Sequence, residues 1–559
     1  MAGRAIAQTM RFVDVTSAAG LNCTFYADPQ NPMMTMAGGG AAGDFNNDGW
    51  QDLFVLGGWS GDSTPTPDRL YINNHDGTFT EQGAQWGIAR TERGVGVAVG
   101  DVDGDGWLDI FITVAPGTGA NYTNVLWHNN GNGTFTNVAS GAGVAFAPGS
   151  SVGGGWGAAF GDYDLDGRLD LAVADWTRSA GGNRLYRNLG NGVFTNVTAT
   201  AMNPAWIDVQ GFSPRFVDMN GDRYPEVLWT SDFGGSKYLI NNANGTFTNA
   251  TASAGVGLDG NGMGASVADL NGDGRPDWFV TSIYSTNPTP FQPGTGNMLY
   301  MNQGNHHFTE VSQGAGVKQG GWAWGAIAED LDNDGLVDLA HTNGWDDPEF
   351  ATDQSCVFKN LGNGTFAQLA PACGVTHTGQ GRGMIALDFD NDGRMDLCIF
   401  TNNGPLTLYR NVTTGPSINS LRVFLNTHAS HGLAPNGYGA HLRLTAGGVQ
   451  QHRWICGGSN FLSQGELSAH FGLGAATVAS ELRIEWPDGS VTTRTNIAAN
   501  RTITIAACPG DWNADGVVGV QDIFDFLNEW FGGSADVSGS GTTTVQDIFD
   551  FLNAWFAAC

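Results

Sequence analysis

Seven times the chain returns to one nine-residue acidic phrase, and any fold it adopts must house all seven. The copies read DFNNDGWQD from residue 44, DVDGDGWLD from 101, DYDLDGRLD from 162, DMNGDRYPE from 218, DLNGDGRPD from 269, DLDNDGLVD from 330 and DFDNDGRMD from 388. They stand 51 to 61 residues apart, a period that belongs to propellers and other stacked arrays. Small and apolar residues precede each copy and an apolar run follows, as in GWGAAFGDYDLDG and LDLAVADW, which reads as strand, loop, strand. Between copies lies a second phrase, as in LYINNHDGTFTE, LWHNNGNGTFTNV and VFKNLGNGTFAQLA. Its Asn-Gly pair supplies positive φ and its Phe-Thr suits a strand, the signature of a β-hairpin. Each repeat thus holds about four short strands, one propeller blade.

After the seventh copy the chain reads LYRNVTTGPS, and the GTFT half of the phrase is absent. RFVDVTSAAGL, residues 11–21, matches that missing half. The N-terminal strand is therefore expected to complete the last blade and close the ring, which removes free sheet edges. The expected fold is mainly β. A disordered stretch over 1–10 leads into a seven-bladed β-propeller over 11–415, then a small β-domain over 416–506 and a short α-helical EF-hand/dockerin-like tail over 507–559.

The acidic phrase has a chemical reading. Positions 1, 3, 5 and 9 carry oxygen side chains, and a glycine after position 5 permits a sharp bend. The sets are Asp44, Asn46, Asp48 and Asp52; Asp101, Asp103, Asp105 and Asp109; Asp162, Asp164, Asp166 and Asp170; Asp218, Asn220, Asp222 and Glu226. The remaining three are Asp269, Asn271, Asp273 and Asp277; Asp330, Asp332, Asp334 and Asp338; Asp388, Asp390, Asp392 and Asp396. Hard oxygen donors in a flexible cage suit Ca²⁺, and the lack of His or Cys at these positions disfavours zinc and copper. The fourth set has Arg223 where the others have glycine, so its site is expected to be looser or empty. The seven loops hold 25 acidic residues, and seven Ca²⁺ would move the formal charge from −30 to −16.

These D-x-[DN]-x-D-G-x-x-D loops with apolar flanks resemble FG-GAP/VCBS repeats over roughly residues 11 to 415. The resemblance implies a seven-bladed propeller in which calcium is structural. From about 418 the loops stop, and SLRVFLNT, GAHLRLTAGGVQQHRWI, LSAHFGLG and ELRIEWPDGSVTT read as strands with Gly-rich turns. NGYGAHLRLTAGG, GGSNFLSQGELSAHFGLG and LRIEWPDG resemble the ASPIC/UnbV domain. The order of domains is similar to that of the cartilage acidic protein family, and the resemblance brings no catalytic residues.

The tail reads DWNADGVVGVQDIFDFLNEWF and then ADVSGSGTTTVQDIFDFLNAWF. Asp511, Asn513, Asp515 and Asp522 stand at positions 1, 3, 5 and 12 of a loop with EF-hand spacing, with Asp in place of the usual last Glu. The second half offers Asp536, Ser538, Ser540 and Asp547, and its serines lower the expected calcium affinity. Paired loop-helix units with Asp at position 12 resemble a dockerin module, which implies a protein receptor. An apolar stripe recurs in both helices, from Ile523, Phe524, Phe526, Leu527 and Trp530 to Ile548, Phe549, Phe551, Leu552 and Trp555. Part of it suits docking. Cys508 and Cys559 bracket the module and are expected to pair, and Cys23 with Cys398 is the next pair to test.

With 24 Lys+Arg against 54 Asp+Glu the chain lacks the basic face that nucleic acid requires, and no apolar run is long enough for a transmembrane helix. MAGRAIAQTM is too short for a complete export signal. The expectation is an extracellular or cell-surface protein whose export signal is not visible in this sequence. No Gly-x-Ser-x-Gly motif occurs. His428, His431, His441, His452 and His470 read as partly exposed strand or loop residues, and Ser459 and Ser463 as loop caps. Trp156, Trp322 and Trp324 read as blade packing, with a sugar site as the alternative. The function expected is that of a non-enzymatic, calcium-binding interaction or adhesion protein. Its propeller is a binding platform for a polysaccharide or cell-surface ligand and its tail an anchor. The alternative is a lectin or a polysaccharide-degrading enzyme.

Overall fold

The computed structural model describes residues 9–29, 32–60, 64–91, 93–115, 123–145, 155–177, 182–290, 292–428, 430, 432–457, 460–514, 517–537 and 542–557. They are mainly β. The first sheet pairs Gly40–Gly43, Asp52–Val55, Arg69–Asn73 and Phe79–Glu81 in chain order, antiparallel throughout. Five more four-stranded sheets repeat this order, ending with Ala323–Glu329, Asp338–Asn343, Cys356–Asn360 and Phe366–Gln368. In the seventh, Gln380–Leu387, Asp396–Asn402 and Thr407–Asn411 are joined at the outer edge by Phe12–Asp14, with Phe12 opposite Asn411. The chain thus brings its N-terminal strand to the outer edge of the seventh sheet, which also takes in the two-residue strands Thr24–Phe25 and Gly404–Pro405.

One asparagine per sheet stitches the sheets together. Each ends the third strand, and its Nδ2 donates to two carbonyls, one in its own sheet and one in the sheet before it. Asn129 donates to Phe45 O at 2.9 Å, Asn188 to Val102 O at 2.8 Å and Asn241 to Tyr163 O at 2.8 Å. Asn302 reaches Met219 O at 2.8 Å, Asn360 Leu270 O at 2.9 Å and Asn411 Leu331 O at 2.7 Å. Asn73 of the first sheet closes the circle on Phe389 O of the seventh at 2.8 Å. Buried backbone carbonyls must find donors, and here the same amide supplies them across every joint.

After the ring come two further sheets. One pairs Ala469–Gly474, Asn419–Asn426 and Arg501–Ala506, and the other Val449–Trp454, His441–Ala446, Val478–Glu485 and Val491–Ala498. Leu421, Leu442, Leu444, Phe471, Leu482 and Trp486 fill the core between them. This β-unit sits on the acidic-loop side of the ring and sends residues 460–466 down its axis. Innermost strands bond to that segment directly: Ala326 N–H donates to Asn460 O at 3.0 Å, Val97 N–H to Leu462 O at 3.1 Å and Ala42 N–H to Gln464 O at 3.0 Å. Gln464 returns both ends of its amide to Val99, at 3.0 and 2.9 Å. Phe461 and Leu462 are fully buried among Trp156, Phe212, Met263 and Trp324. Inner-strand glycines make the room, since a Cβ on Gly39 would stand 2.1 Å from Leu462 O and one on Gly264 2.6 Å from Asn460 O. Above the plug, Arg422 and Glu466 form a buried ion pair at 2.6 Å, and Glu466 Oε2 accepts from Asp388 N–H at 3.0 Å.

Trp156 and Trp324 are buried in the core around the segment 460–466, in line with their reading as packing, and Trp324 also lines a cavity beside it. Several expectations change here. Ser463 is no loop cap: its Oγ accepts from Gly40 N–H at 3.2 Å inside the axis. His470 is buried, not partly exposed, and pairs with Asn333 Oδ1 of the sixth loop at 2.7 Å, with burial pushing its pKa down to about 3. Cys23 and Cys398 share one core but are both free thiols, as are Cys356, Cys373 and Cys456. Cys508 is disulfide-bonded; Cys559, Ser459 and His431 lie outside the described residues, as do residues 1–8 of the expected disordered stretch.

The tail forms helices Val520–Gly532 and Val545–Ala557. Phe526 and Phe551 stack at 4.2 Å in its centre, with Trp512 edge-on to both. No helix among the described residues is long and apolar enough to cross a membrane. Truncating the plug tip, Phe461→Ala, removes a fully buried aromatic ring and is expected to cost about 3–5 kcal/mol, read as a lower denaturant midpoint for the whole chain.

Candidate metal centres

Each acidic loop joins the innermost strand of a sheet to the second, and its backbone folds around the first aspartate. Gly49 N–H donates to Asp44 Oδ2 at 2.7 Å and Asp48 N–H to Asp44 Oδ1 at 3.0 Å. The glycine bond recurs as Gly106 to Asp101, Gly167 to Asp162, Gly274 to Asp269, Gly335 to Asp330 and Gly393 to Asp388, between 2.7 and 3.0 Å. The glycine is needed because this position has φ between 81° and 92° in those six loops. In the fourth loop Arg223 takes φ 80° and still donates its N–H to Asp218 Oδ2 at 2.7 Å. The loop whose site is expected to be looser or empty thus keeps the same turn hydrogen bond, held in the left-handed region by a residue that disfavours it. Its guanidinium leaves the loop for Pro487 O at 3.2 Å.

Position 9 does more than the spacing implied. Asp52 Oδ2 accepts from Phe45 N–H at 3.1 Å and its Oδ1 from Asn73 N–H at 2.8 Å. Asp109, Asp170, Asp277, Asp338 and Asp396 repeat both bonds, tying the turn to the stitching asparagine. All six are fully buried, as is Glu226, which accepts from Met219 N–H at 2.8 Å. The asparagines themselves were missed in the sequence, although NN, NL, NQ or NV after an apolar strand marks them in the repeats.

Positions 1, 3 and 9 converge. Single carboxylate oxygens of Asp162, Asp164 and Asp170 lie within 4.8 Å of one another, as do those of Asp330, Asp332 and Asp338 and of Asp388, Asp390 and Asp396. In the second loop Asp101, Asp103 and Asp105 form such a group, and Asp103 and Asp109 form another with His128. The Oδ1 atoms of Asp103, Asp164, Asp332 and Asp390 are buried with no hydrogen-bond partner. In the first, fourth and fifth loops position 3 is Asn, whose Nδ2 donates to the position-5 carboxylate at 2.7 to 3.0 Å. Burial pushes Asp101, Asp162, Asp330 and Asp388 up to about 7, and Asp170, Asp338 and Asp396 well above the usual carboxylate range. Crowded, desolvated oxygens whose ionised form is disfavoured fit a hard divalent cation, which would satisfy the orphaned atoms and relieve the repulsion.

In the tail, Asp511, Asp522, Asp536 and Asp547 are buried and Asn513 is exposed. Asp522 Oδ2 accepts from Gly519 N–H at 2.7 Å and Asp547 Oδ2 from Thr544 N–H at 2.6 Å, so each caps its own helix. Asp515, Ser538 and Ser540 lie outside the described residues.

The FG-GAP-like repeat model matches residues 44–112, 113–173, 166–229, 218–280, 284–341 and 350–399, more than half of the chain. The ASPIC and UnbV model matches 431–509. Cartilage acidic protein 1 of Homo sapiens is 27% identical over 498 residues, covering 82% of this chain and 70% of that protein. The Mus musculus protein is 28% identical over 439 residues, covering 72% and 63%. The BP39L lectin from Burkholderia pseudomallei aligns over 68% of this chain and 97% of its own at 12% identity, with a TM-score of 0.45.

Asp338→Ala strands the buried N–H groups of Leu331 and Asn360. At about 1–3 kcal/mol for each orphaned donor, it is expected to lower the denaturant midpoint even in chelator, which separates the bracing role of position 9 from any metal role.

Proposed function

We propose, for a chain that belongs to the FG-GAP-like repeat family and carries an ASPIC and UnbV domain behind the repeats, an exported, non-enzymatic, calcium-binding interaction protein. In this reading the seven sheets are the blades of a propeller with calcium in the turns. The observation that carries it is the recurring set of buried oxygens at positions 1, 3 and 9, with the position-3 Oδ1 orphaned in four loops. Calcium supplies charge neutralisation there and holds the turn between strands. Export agrees with the charge of −30 and with the disulfide at Cys508, since disulfides persist in oxidising compartments.

The tail is the anchor in this reading. Phe526 and Phe551 are spent on its core, while Phe524 and Phe549 are each 58% exposed and Phe531 and Phe556 are 79% and 76% exposed. Two similar apolar faces on one small module suit a protein receptor that engages either. The module is dockerin-like in its duplicated loop-helix plan.

One observation favours a carbohydrate ligand as the second reading. At the mouth of the axis, beyond Phe461, a cavity of about 340 Å³ is walled by Trp176, Phe233, Trp322 and Trp345. Trp322 and Trp345 stack at 4.9 Å, and Asp232 beside them accepts from Trp176 Nε1 at 3.0 Å. Aromatic faces and a fixed carboxylate suit a sugar ring. Among the described lining residues Asp232 is the one carboxylate, where glycoside hydrolysis uses a pair, so the described lining supports binding over cleavage.

The test combines calcium stoichiometry by equilibrium dialysis with melting in calcium and in chelator. Several ions per chain and a melting temperature lower in chelator by at least about 5 °C, as expected when a ligand of the native state is withdrawn, are the expected results. An unchanged melt would end the structural-calcium reading.

A further inference from the structure

The residue just before each stitching asparagine points back at the acidic loop of its own sheet, and its identity follows position 3. Where position 3 is Asp, as at Asp103, Asp164, Asp332 and Asp390, that residue is His128, Arg187, Lys359 and Arg410 respectively. Where position 3 is Asn, as at Asn46, Asn220 and Asn271, it is Ile72, Ile240 and Met301. The match holds in all seven repeats.

The contacts explain it. Arg187 Nε lies 2.6 Å from Asp164 Oδ2, Arg410 Nη2 lies 2.5 Å from Asp390 Oδ2, and His128 Nδ1 lies 3.3 Å from Asp103 Oδ2. Lys359 Nζ bridges Asp332 and Asp334, the latter at 2.7 Å. In the third, sixth and seventh loops the cation lies against Oδ2 and the buried Oδ1 has no hydrogen-bond partner, whereas His128 Nδ1 lies closer still to Asp109 Oδ1, at 3.2 Å. The side chains of Asp332 and Asp390 are 0% and 9% exposed, so those orphaned oxygens are aimed inward. In the other class the asparagine amide fixes its own far end on position 5. Both classes thus hold one end of position 3, and the other oxygen is partnerless in the aspartate loops and accepts the position-5 N–H at 2.9 to 3.1 Å in the asparagine loops. Arginines from position 7 also reach position 5, in the third, fifth and seventh loops, and His75 does so in the first at 2.9 Å. These occur in both classes and do not account for the split.

From this pattern we infer that Arg187, Lys359 and Arg410, with His128 in the same place, are resident counter-cations. Each orients a position-3 aspartate toward calcium and sets its loop to the ligand charge of the asparagine loops. In the third, sixth and seventh loops four carboxylates and one cation, and in the first, fourth and fifth three carboxylates and an amide, both sum to −3 over positions 1, 3, 5 and 9 and their strand partner. Ligand charge tunes calcium affinity, and groups behind the ligands orient them, so the pairing makes two loop types into equivalent sites.

This inference rests on the calcium reading above, and hydrogen exchange of the sixth loop in the full chain separates the two. In a calcium titration, Asp332→Asn alone leaves that loop one charge short, and half-protection is expected at about ten-fold higher calcium. Adding Lys359→Met rebuilds the fifth-loop arrangement of Asn271 and Met301 and is expected to restore the wild-type midpoint within about three-fold. A double variant as weak as Asp332→Asn, or weaker, overturns the pairing. In chelator, Lys359→Met alone is expected to speed exchange in the sixth loop, and Asp332→Asn added to it to slow exchange again; simple addition of the two effects overturns the inference there as well. If chelator changes exchange in no loop of the wild-type chain, the calcium reading falls, and the chelator cycle by itself decides whether the two side chains are matched.

Discussion

The ring depends on one amide used seven times. A sheet wedge meets its neighbour through loop backbone as well as side chains, and buried carbonyls at that joint would each cost free energy if left bare. The asparagine at the end of each third strand supplies both protons, while its Oδ1 accepts the N–H two residues on, as in Asn73 with His75 at 2.9 Å and Asn360 with Gly362 at 3.0 Å. Its own N–H goes to the position-9 carboxylate, as in Asn360 with Asp338 at 2.7 Å. One side chain therefore fixes the joint, the turn after it and the acidic loop beside it. Because Asn73 bonds to Phe389 O, the set has no free end.

Much of this was legible because the period is written in residue types. The acidic phrase, the hairpin phrase and the displaced N-terminal strand each carry a pattern of spacing that survives variation, and Phe12–Asp14 lies where the missing half-repeat placed it. The asparagines were hidden in plain sequence: beside an Asn-Gly turn, one more Asn reads as turn chemistry. Position 9 was legible as a carboxylate but not as a brace, because its partners are backbone groups 7 residues back and about 20 ahead, such as Phe45 and Asn73 for Asp52. Sharing a core was a poor guide to disulfides, as the free Cys23 and Cys398 show, since a bridge also needs the right Cβ geometry.

The plug was the least legible element. GGSNFLSQGEL looks like an exposed loop, rich in glycine and serine. Its burial comes from partners roughly 80 to 420 residues away in sequence, among them Met384 and Gly40, and from bare inner-strand backbone at Gly39 and Gly264. The tip pays in strain, with Phe461 at φ 103° and Leu462 at φ 57°, conformations that persist only where the surroundings over-determine them. The tight fit couples the second β-unit to the ring more strongly than a linker could.

That fit has a consequence for a chain made from one end to the other. Residues 12–14 emerge well before their sheet partners, 407–411, which come almost four hundred residues later, and the segment that fills the axis follows at 460–466. During synthesis the early sheets must wait with an open edge and a hollow centre, and exposed edges and apolar surface are what nascent chains aggregate through. The ring can be sealed only after residue 466 has emerged, and whatever keeps the nascent chain from aggregating until then is as much a condition of the fold as the contacts within it.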